Sequence, residues 1–358
     1  MAMLSRRTGI YGMLDFLAMN DSNGGSHPMD RLSDKLRWIS RRFDQFNPKG
    51  RSQKNVAHHY DLDARLYSLM LDQDQQYSCA YFPDGNETLE EAQLKKKRHI
   101  ASKMALDRQD LEIVDIGCGW GGMAIFLASE YDARVTGLTL SKEQHSVATR
   151  RAKDAGLSAR VKFELMDYRN WVRPVDRVVS VGMFEHVGIG QYRTFFDKVR
   201  SMLTDDGVAL IHAIGRADGP GSTNPWIAKY IFPGGYSPAL SEVMSVVEKS
   251  RLWATDIEIL RLHYAKTLAQ WRCRFNEHRS TLSKIYDERF CRMFEFYLIG
   301  SELSFRHLSL INWQLQLTKN LETLPLSRDY MFQAEQNANL TARPAPAAVV
   351  DNREKHLA

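Results

Sequence analysis

The run Ile113-Val114-Asp115-Ile116-Gly117-Cys118-Gly119-Trp120-Gly121-Gly122 reads as a strand that feeds a glycine-rich turn and opens a helix. Glycine suits such a turn because the backbone must reverse tightly and let a ligand come closer than a Cβ permits. Nucleotide sites in general use this spacing, and so does a plain tight turn. Two details narrow the chemistry. Asp115 stands before the first glycine, where a phosphate-binding loop avoids a carboxylate, and no Lys-Ser or Lys-Thr follows to complete a Walker loop. A carboxylate at that place suits a cationic ligand without phosphate, and S-adenosylmethionine carries both an ammonium and a sulfonium.

Other residues could hold or move a proton. Glu185 and His186 adjoin in Met183-Phe184-Glu185-His186-Val187-Gly188, His212 closes the apolar stretch before Ala213 and Ile214, and Tyr264 lies in Leu262-His263-Tyr264-Ala265. On residue type alone, His212 reads equally as a satisfied core histidine, His186 as structural and Trp120 as a core tryptophan, while His58 and His59 have no assignable role. Cys79 has no matched base beside it in sequence, which argues against a thiolate nucleophile. With Cys118, Cys273 and Cys291 it forms no Cys-x-x-Cys pair, so neither a disulfide framework nor a metal site is expected, and a reducing cytoplasm fits best.

These groups need elements to position them. From Leu111 onward, short β-rich runs alternate with helical stretches: Leu111 to Ile116, a helix over Gly121 to Tyr131, Arg134 to Leu138, a helix over Lys142 to Ala155, Val161 to Leu165, and Arg177 to Val181. That rhythm predicts an α/β fold with a parallel sheet. Val208 to Ile214 supplies a further strand, and a mostly helical stretch is expected from Leu240 to Lys319. The chain has 358 residues, 44% hydrophobic and 25% charged, ordinary globular proportions that exclude a disordered, collagen-like or disulfide-scaffold protein. No apolar run approaches the roughly 18 residues that span a bilayer, and Asp15 breaks the early apolar stretch as a leader. Residues 1–58 carry ten basic and five acidic side chains, a surplus that equals the whole formal charge of +5. Within them Leu32, Leu36, Ile39, Phe43 and Phe46 share one helical stripe, with Arg37 and Arg41 opposite and Lys35 and Arg42 flanking. A docked surface helix and a basic amphipathic element on an anionic membrane both fit that pattern.

The Asp-x-Gly-x-Gly turn resembles motif I of class I S-adenosylmethionine-dependent methyltransferases, and the resemblance extends along the chain. Tyr77 to Phe82, Leu89 to Gln93, Asp115 to Gly122, Gly137 to Gln144, Ser180 to Gly188 and Pro225 to Pro233 are similar, in order, to segments of one family. That family comprises the cyclopropane-fatty-acyl-phospholipid synthases and mycolic acid cyclopropane synthases, and the similarity runs from about Val56 to Lys319. The resemblance implies a doubly wound, Rossmann-like, mostly parallel seven-stranded sheet, with helical insertions forming an acyl-chain pocket. Residues 1–55 would then be a short helical basic extension, 56–324 the methyltransferase domain and 325–358 a flexible tail.

Residue roles follow from the same resemblance. Tyr77 and Ser78 would hold the methionine end of the cofactor, with Asp115, Gly117 and Gly119 around its amino acid and ribose. Thr139 and Gln144 would contact the ribose, Asp167 and Tyr168 would face the adenine, and Trp120 would cover it. Methyl transfer to an isolated cis double bond leaves a carbocation, and loss of a proton from the new methyl group closes the ring. In the family the base is a bound bicarbonate, for which the matching cradle is Cys79 and Ile214 through their backbones, Glu185 and His212 through their side chains, and Tyr264 through its hydroxyl. Phe184, Tyr230, Phe232, Tyr236, Phe294 and Tyr297 are candidates for lining an acyl channel or for plain packing. The implied partner is a phospholipid acyl chain at an anionic membrane surface, with the protein peripheral to the cytoplasmic face of a bacterial membrane. No nucleic-acid partner is implied, and a homodimer stays open. Rival readings are a fatty-acyl methyltransferase giving a methyl-branched or methylene product, a small-amine N-methyltransferase without bicarbonate, and a non-catalytic lipid-binding module.

Overall fold

A computed structural model describes residues 2–21 and 64–340. The amphipathic stretch Arg31 to Phe46, with His58 and His59, lies outside the described residues. After Ala2–Asp21 (α1), the described chain resumes at Ala64–Met70 (α2) and Leu89–Lys103 (α3). Strands and helices then alternate through Glu112–Ile116 (β1), Gly122–Tyr131 (α4), Arg134–Thr139 (β2), Lys142–Asp154 (α5), Val161–Leu165 (β3), Val175–Val181 (β4), Tyr192–Met202 (α6) and Leu203–Arg216 (β5). Pro225–Tyr230 (α7), Leu240–Lys249 (α8), Trp253–Ile259 (β6), His263–Glu277 (α9), Arg279–Ile285 (α10), Glu288–Arg306 (α11), Leu310–Thr318 (β7) and Asp329–Leu340 (α12) complete it.

The strands form a seven-stranded sheet in the order β3-β2-β1-β4-β5-β7-β6. Neighbours from β3 to β5 are parallel, while β7 runs antiparallel to both β5 and β6. Strands buried on both faces must be apolar on both, and β4 shows this: Val178 packs into one apolar cluster with Phe195 and Val199 of α6, and Val179 into another with Ile100 of α3 and Leu127 of α4. The order reverses between β1 and β4, so the loops after these two strands diverge and leave a crevice at the carboxyl edge of the sheet. Over that edge a third apolar cluster joins Tyr67 of α2, Trp271 of α9, and Phe294 and Leu298 of α11. Together these helices roof the crevice.

The stretch from Leu240 to Lys319 is mostly helical, as expected, but also holds the two strands β6 and β7. One expectation needs correction. The segment assigned to a flexible tail from residue 325 contains α12, where Met331 is buried and Glu335 reaches His99 of α3. At the other end, α1 packs on α11: Tyr11 donates to Glu302 at 3.0 Å, and the ring of His307 lies 2.9 Å from Asp15. Among the described residues no helix is long and apolar enough to cross a membrane.

Candidate active site

The turn after β1 is built as its sequence requires. Gly117, Gly119 and Gly121 have φ of +81°, +53° and +84°, the left-handed region in which side chains are strained. At Gly117 a Cβ would lie 2.7 Å from the Met183 side chain, whereas at Gly119 it would meet nothing within 4 Å, because that glycine faces open space. The open space is a cavity lined by Tyr77, Ser78, Asp115, Gly117, Gly119, Trp120, Thr139, Gln144, Asp167 and Tyr168. Every position expected to hold a cofactor thus surrounds one hollow.

Its electrostatics suit a cation. Asp115 is 2% exposed, and its Oδ2 has no hydrogen-bond partner. Burial pushes its carboxyl up to about 7 against the opposing pull of the Lys96 ammonium. A ligand ammonium would supply the missing partner. The indole Nε1 of Trp120 is likewise buried without a partner, while its ring packs in the apolar cluster with Tyr67, so this tryptophan belongs to the core and to the cavity wall at once. Other predicted contacts are already engaged within the protein. Thr139 Oγ1 donates to Gln144 Oε1 at 2.9 Å, and Ser141 caps α5 by accepting from the Gln144 backbone N–H at 3.2 Å. Both Asp167 oxygens accept from the Arg169 guanidinium, at 2.8 and 2.6 Å, so this carboxylate meets the cavity as half of an ion pair.

A second cavity of about 630 Å³ adjoins the first, and both are lined by Tyr77, Ser78, Gly182 and His186. Cys79, Glu185, His212, Ile214 and Tyr264 all line the second. Glu185 stands on a short helical turn after β4, where Oε1 accepts from the Ile214 N–H at 2.6 Å and Oε2 is buried without a partner. Burial raises its carboxyl to about 7. The Ile214 N–H therefore serves to hold Glu185. His212 sits on β5 at 1% exposure; burial and the nearby Lys96, Lys103 and His99 cations hold its imidazole well below the usual range, so it is neutral. Its Nδ1 lies 3.1 Å from Gln314 Nε2, and its Nε2 has no partner. Burial pushes the Cys79 thiol far up, which keeps it protonated and unreactive. What the wall offers is one unpaired carboxyl oxygen, one unpaired imidazole nitrogen and the phenol of Tyr264, a set that fits a small anion carrying its own proton.

Of the aromatic candidates, Phe232, Tyr236 and Tyr297 line the second cavity, joined by Trp226, Phe296 and Phe305. Phe184 and Phe294 are core residues, and Tyr230 is exposed. His186 lines both cavities, with burial pushing its imidazole down to about 4. Sequence reasoning missed Lys96, which is fully buried under the junction and donates to Gln76 Oε1 at 2.6 Å and Ser78 Oγ at 3.1 Å. In the run Lys95-Lys96-Lys97-Arg98 it looks like one of four solvated cations. Its signal is spacing: Leu89, Gln93, Lys96, Ile100 and Lys103 recur at 4, 3, 4 and 3, a buried stripe on α3 with three polar members. Of the cysteines, Cys273 alone is exposed.

Residues 47–315 match the family described as mycolic acid cyclopropane synthetase. A probable fatty acid methyltransferase of Pseudomonas putida is 39% identical over 70% of this chain, which spans 65% of that relative's length. The cyclopropane-fatty-acyl-phospholipid synthase of Escherichia coli is 38% identical over 81% of this chain and 74% of its own. Among solved structures, the mycolic acid cyclopropane synthase CmaA1 complexed with SAH and CTAB superposes with a TM-score of 0.70 at 31% identity, covering 76% of this chain and 99% of that one.

Proposed function

This chain belongs to the mycolic acid cyclopropane synthetase family, and from that premise we propose that it transfers a methylene unit from S-adenosylmethionine to a cis double bond of an unsaturated phospholipid acyl chain, forming a cyclopropane ring. The observation that carries this reading is the pair of adjoining cavities, one around the glycine turn and Asp115, the other around Glu185 and His212. The solved relative complexed with SAH and CTAB supports the binding of this cofactor, which the first cavity suits by its lining, as the second suits an acyl chain. When bound, S-adenosylmethionine supplies the electrophilic methyl group and bicarbonate a base for the proton that must leave.

The chain's own residues do the rest. Asp115 pairs with the ligand ammonium, and the glycine turn lets the backbone approach it. Glu185 Oε2 would accept a hydrogen bond from such an anion, and His212 Nε2 and the Tyr264 hydroxyl would donate to it, so these three side chains would hold the base in a cavity shielded from water. The aromatic wall of Phe232, Tyr297 and Phe305 excludes water and supplies rings whose π faces can stabilise developing positive charge. An anionic membrane surface is the partner that this substrate requires, at the cytoplasmic face of a bacterial membrane.

The test is incubation of the purified protein with methyl-labelled S-adenosylmethionine and vesicles of cis-unsaturated phospholipid, followed by mass spectrometry of the acyl chains. Labelled ring-bearing chains are expected. Label confined to amines, or no transfer despite cofactor binding, overturns the reading. A methyl-branched product is the second reading, compatible with the Pseudomonas putida relative's description as a probable fatty acid methyltransferase, and the same spectra separate it from a ring.

A further inference from the structure

A chain of buried polar groups runs behind His212, away from the cavity, and no step of the reaction consumes it. Three strands set it up in register: His212 of β5 is opposite Gln314 of β7, which is opposite Glu258 of β6. Lys103 of α3 closes over this row. Its Nζ donates to Gln314 Oε1 at 2.7 Å and to the Glu258 carboxylate. Glu258 also meets His99 Nε2 at 2.6 Å, and His99 Nδ1 is 3.1 Å from Glu335 of α12. His212, Gln314, Lys103 and His99 are all buried.

Donor and acceptor rules determine the direction of every link. An ammonium can only donate, so Lys103 must face the carbonyl oxygen of the Gln314 amide, which turns the amide nitrogen toward His212. An amide N–H can only donate, so His212 Nδ1 must accept. A neutral imidazole whose Nδ1 accepts carries its proton on Nε2, the nitrogen left without a protein partner on a residue that lines the second cavity. We propose that Gln314 and Lys103 are positioning residues that lock His212 in its Nε2–H tautomer, so that the second cavity always meets an N–H donor at this point. Glu258, held between Lys103 and His99, fixes the ammonium in turn. The tautomer with the proton on Nδ1 would set two N–H groups against each other and offer the cavity an acceptor beside the Glu185 carboxyl. As a device for holding an anion the lock rests on the function proposed above; as a statement about His212 it does not.

Tautomer state is read directly from two-bond proton–nitrogen correlations of the full-length protein labelled with ¹⁵N-histidine, without substrate, the His212 signals being identified by their loss in His212→Asn. The expected result is a protonated Nε2 and an unprotonated Nδ1. Gln314→Glu places an acceptor opposite Nδ1 and should move the proton there, with turnover falling about 100-fold while cofactor affinity and lipid KM hold. Lys103→Met frees the amide to turn and should populate both tautomers. A wild-type proton on Nδ1, or a Gln314→Glu protein with an unchanged tautomer, overturns the proposal. Inversion of the tautomer in a protein that transfers no methyl group to lipid supports the lock and removes the lipid function instead.

Discussion

Asp115 does two jobs that pull against each other. Its carboxyl, held up to about 7 by burial, keeps its proton in the ligand-free fold where an unfolded chain would lose it near pH 4. The folded state binds more protons between those values, so its stability falls as pH rises from about 4 to about 7 and stays low above that. Asp115→Asn is therefore expected to stabilise the ligand-free protein by roughly 2–4 kcal/mol at pH 8 and by almost nothing at pH 4, measured by urea denaturation. The same variant should lose the cationic ligand. In the parent protein, binding needs the ionised carboxylate, so affinity should weaken about tenfold per pH unit below 7, with one proton released, as calorimetry in two buffers would show. Glu185 holds its carboxyl for a different end, since its free oxygen faces the second cavity. Glu185→Ala should cut turnover by about 10²-fold or more with cofactor affinity intact, and unchanged turnover would remove Glu185 from the proton path.

The turn between β1 and α4 contains two glycines that fail in different ways when changed. At Gly121 an added Cβ would lie 2.6 Å from the Phe163 ring and 2.9 Å from Ala148 Cβ, and the backbone is left-handed as well. Gly121→Ala should cost about 2–3 kcal/mol of stability by thermal unfolding. Gly119→Ala meets no neighbour and should cost only about 1 kcal/mol, yet it fills cofactor space and should weaken S-adenosylhomocysteine binding at least tenfold. This turn was legible because its glycines are demanded locally, by φ and by close approach. The burial of β7 was not. It alternates apolar residues with Asn312, Gln314 and Gln316, the pattern of a strand with one face in water, yet all three are buried, so the alternation marks a strand and misplaces its polar face. Gln314 acquires its meaning from strands more than fifty residues away in sequence, so nothing near it in the chain announces the role. Gln316 behaves alike, donating across to the Lys103 carbonyl and, at 2.6 Å, to Tyr330 beyond the expected end of the fold.

At the scale of the whole molecule, charge is distributed unevenly: the surplus of five lies within residues 1–58, and the remainder is neutral. A chain whose basic surplus is gathered in one stretch of sequence has one segment suited to an anionic bilayer. Replacing Arg37, Arg41 and Arg42 by Gln should lower the fraction that sediments with anionic vesicles at low salt while solution turnover on detergent-dispersed lipid holds; an undiminished bound fraction would remove these arginines from membrane binding. The burial of three of the four cysteines has a use of its own. Cys79 stands on the wall of one cavity, Cys118 in the turn of the other and Cys291 on the buried face of the roof helix α11, whereas Cys273 is exposed on α9 about half a helical turn around from Tyr264. A thiol reagent should therefore modify one sulfur at once and the other three only as their surroundings open. The unaltered chain thus carries three internal clocks, and the order in which they strike would time the breathing of cofactor turn, acyl wall and roof separately.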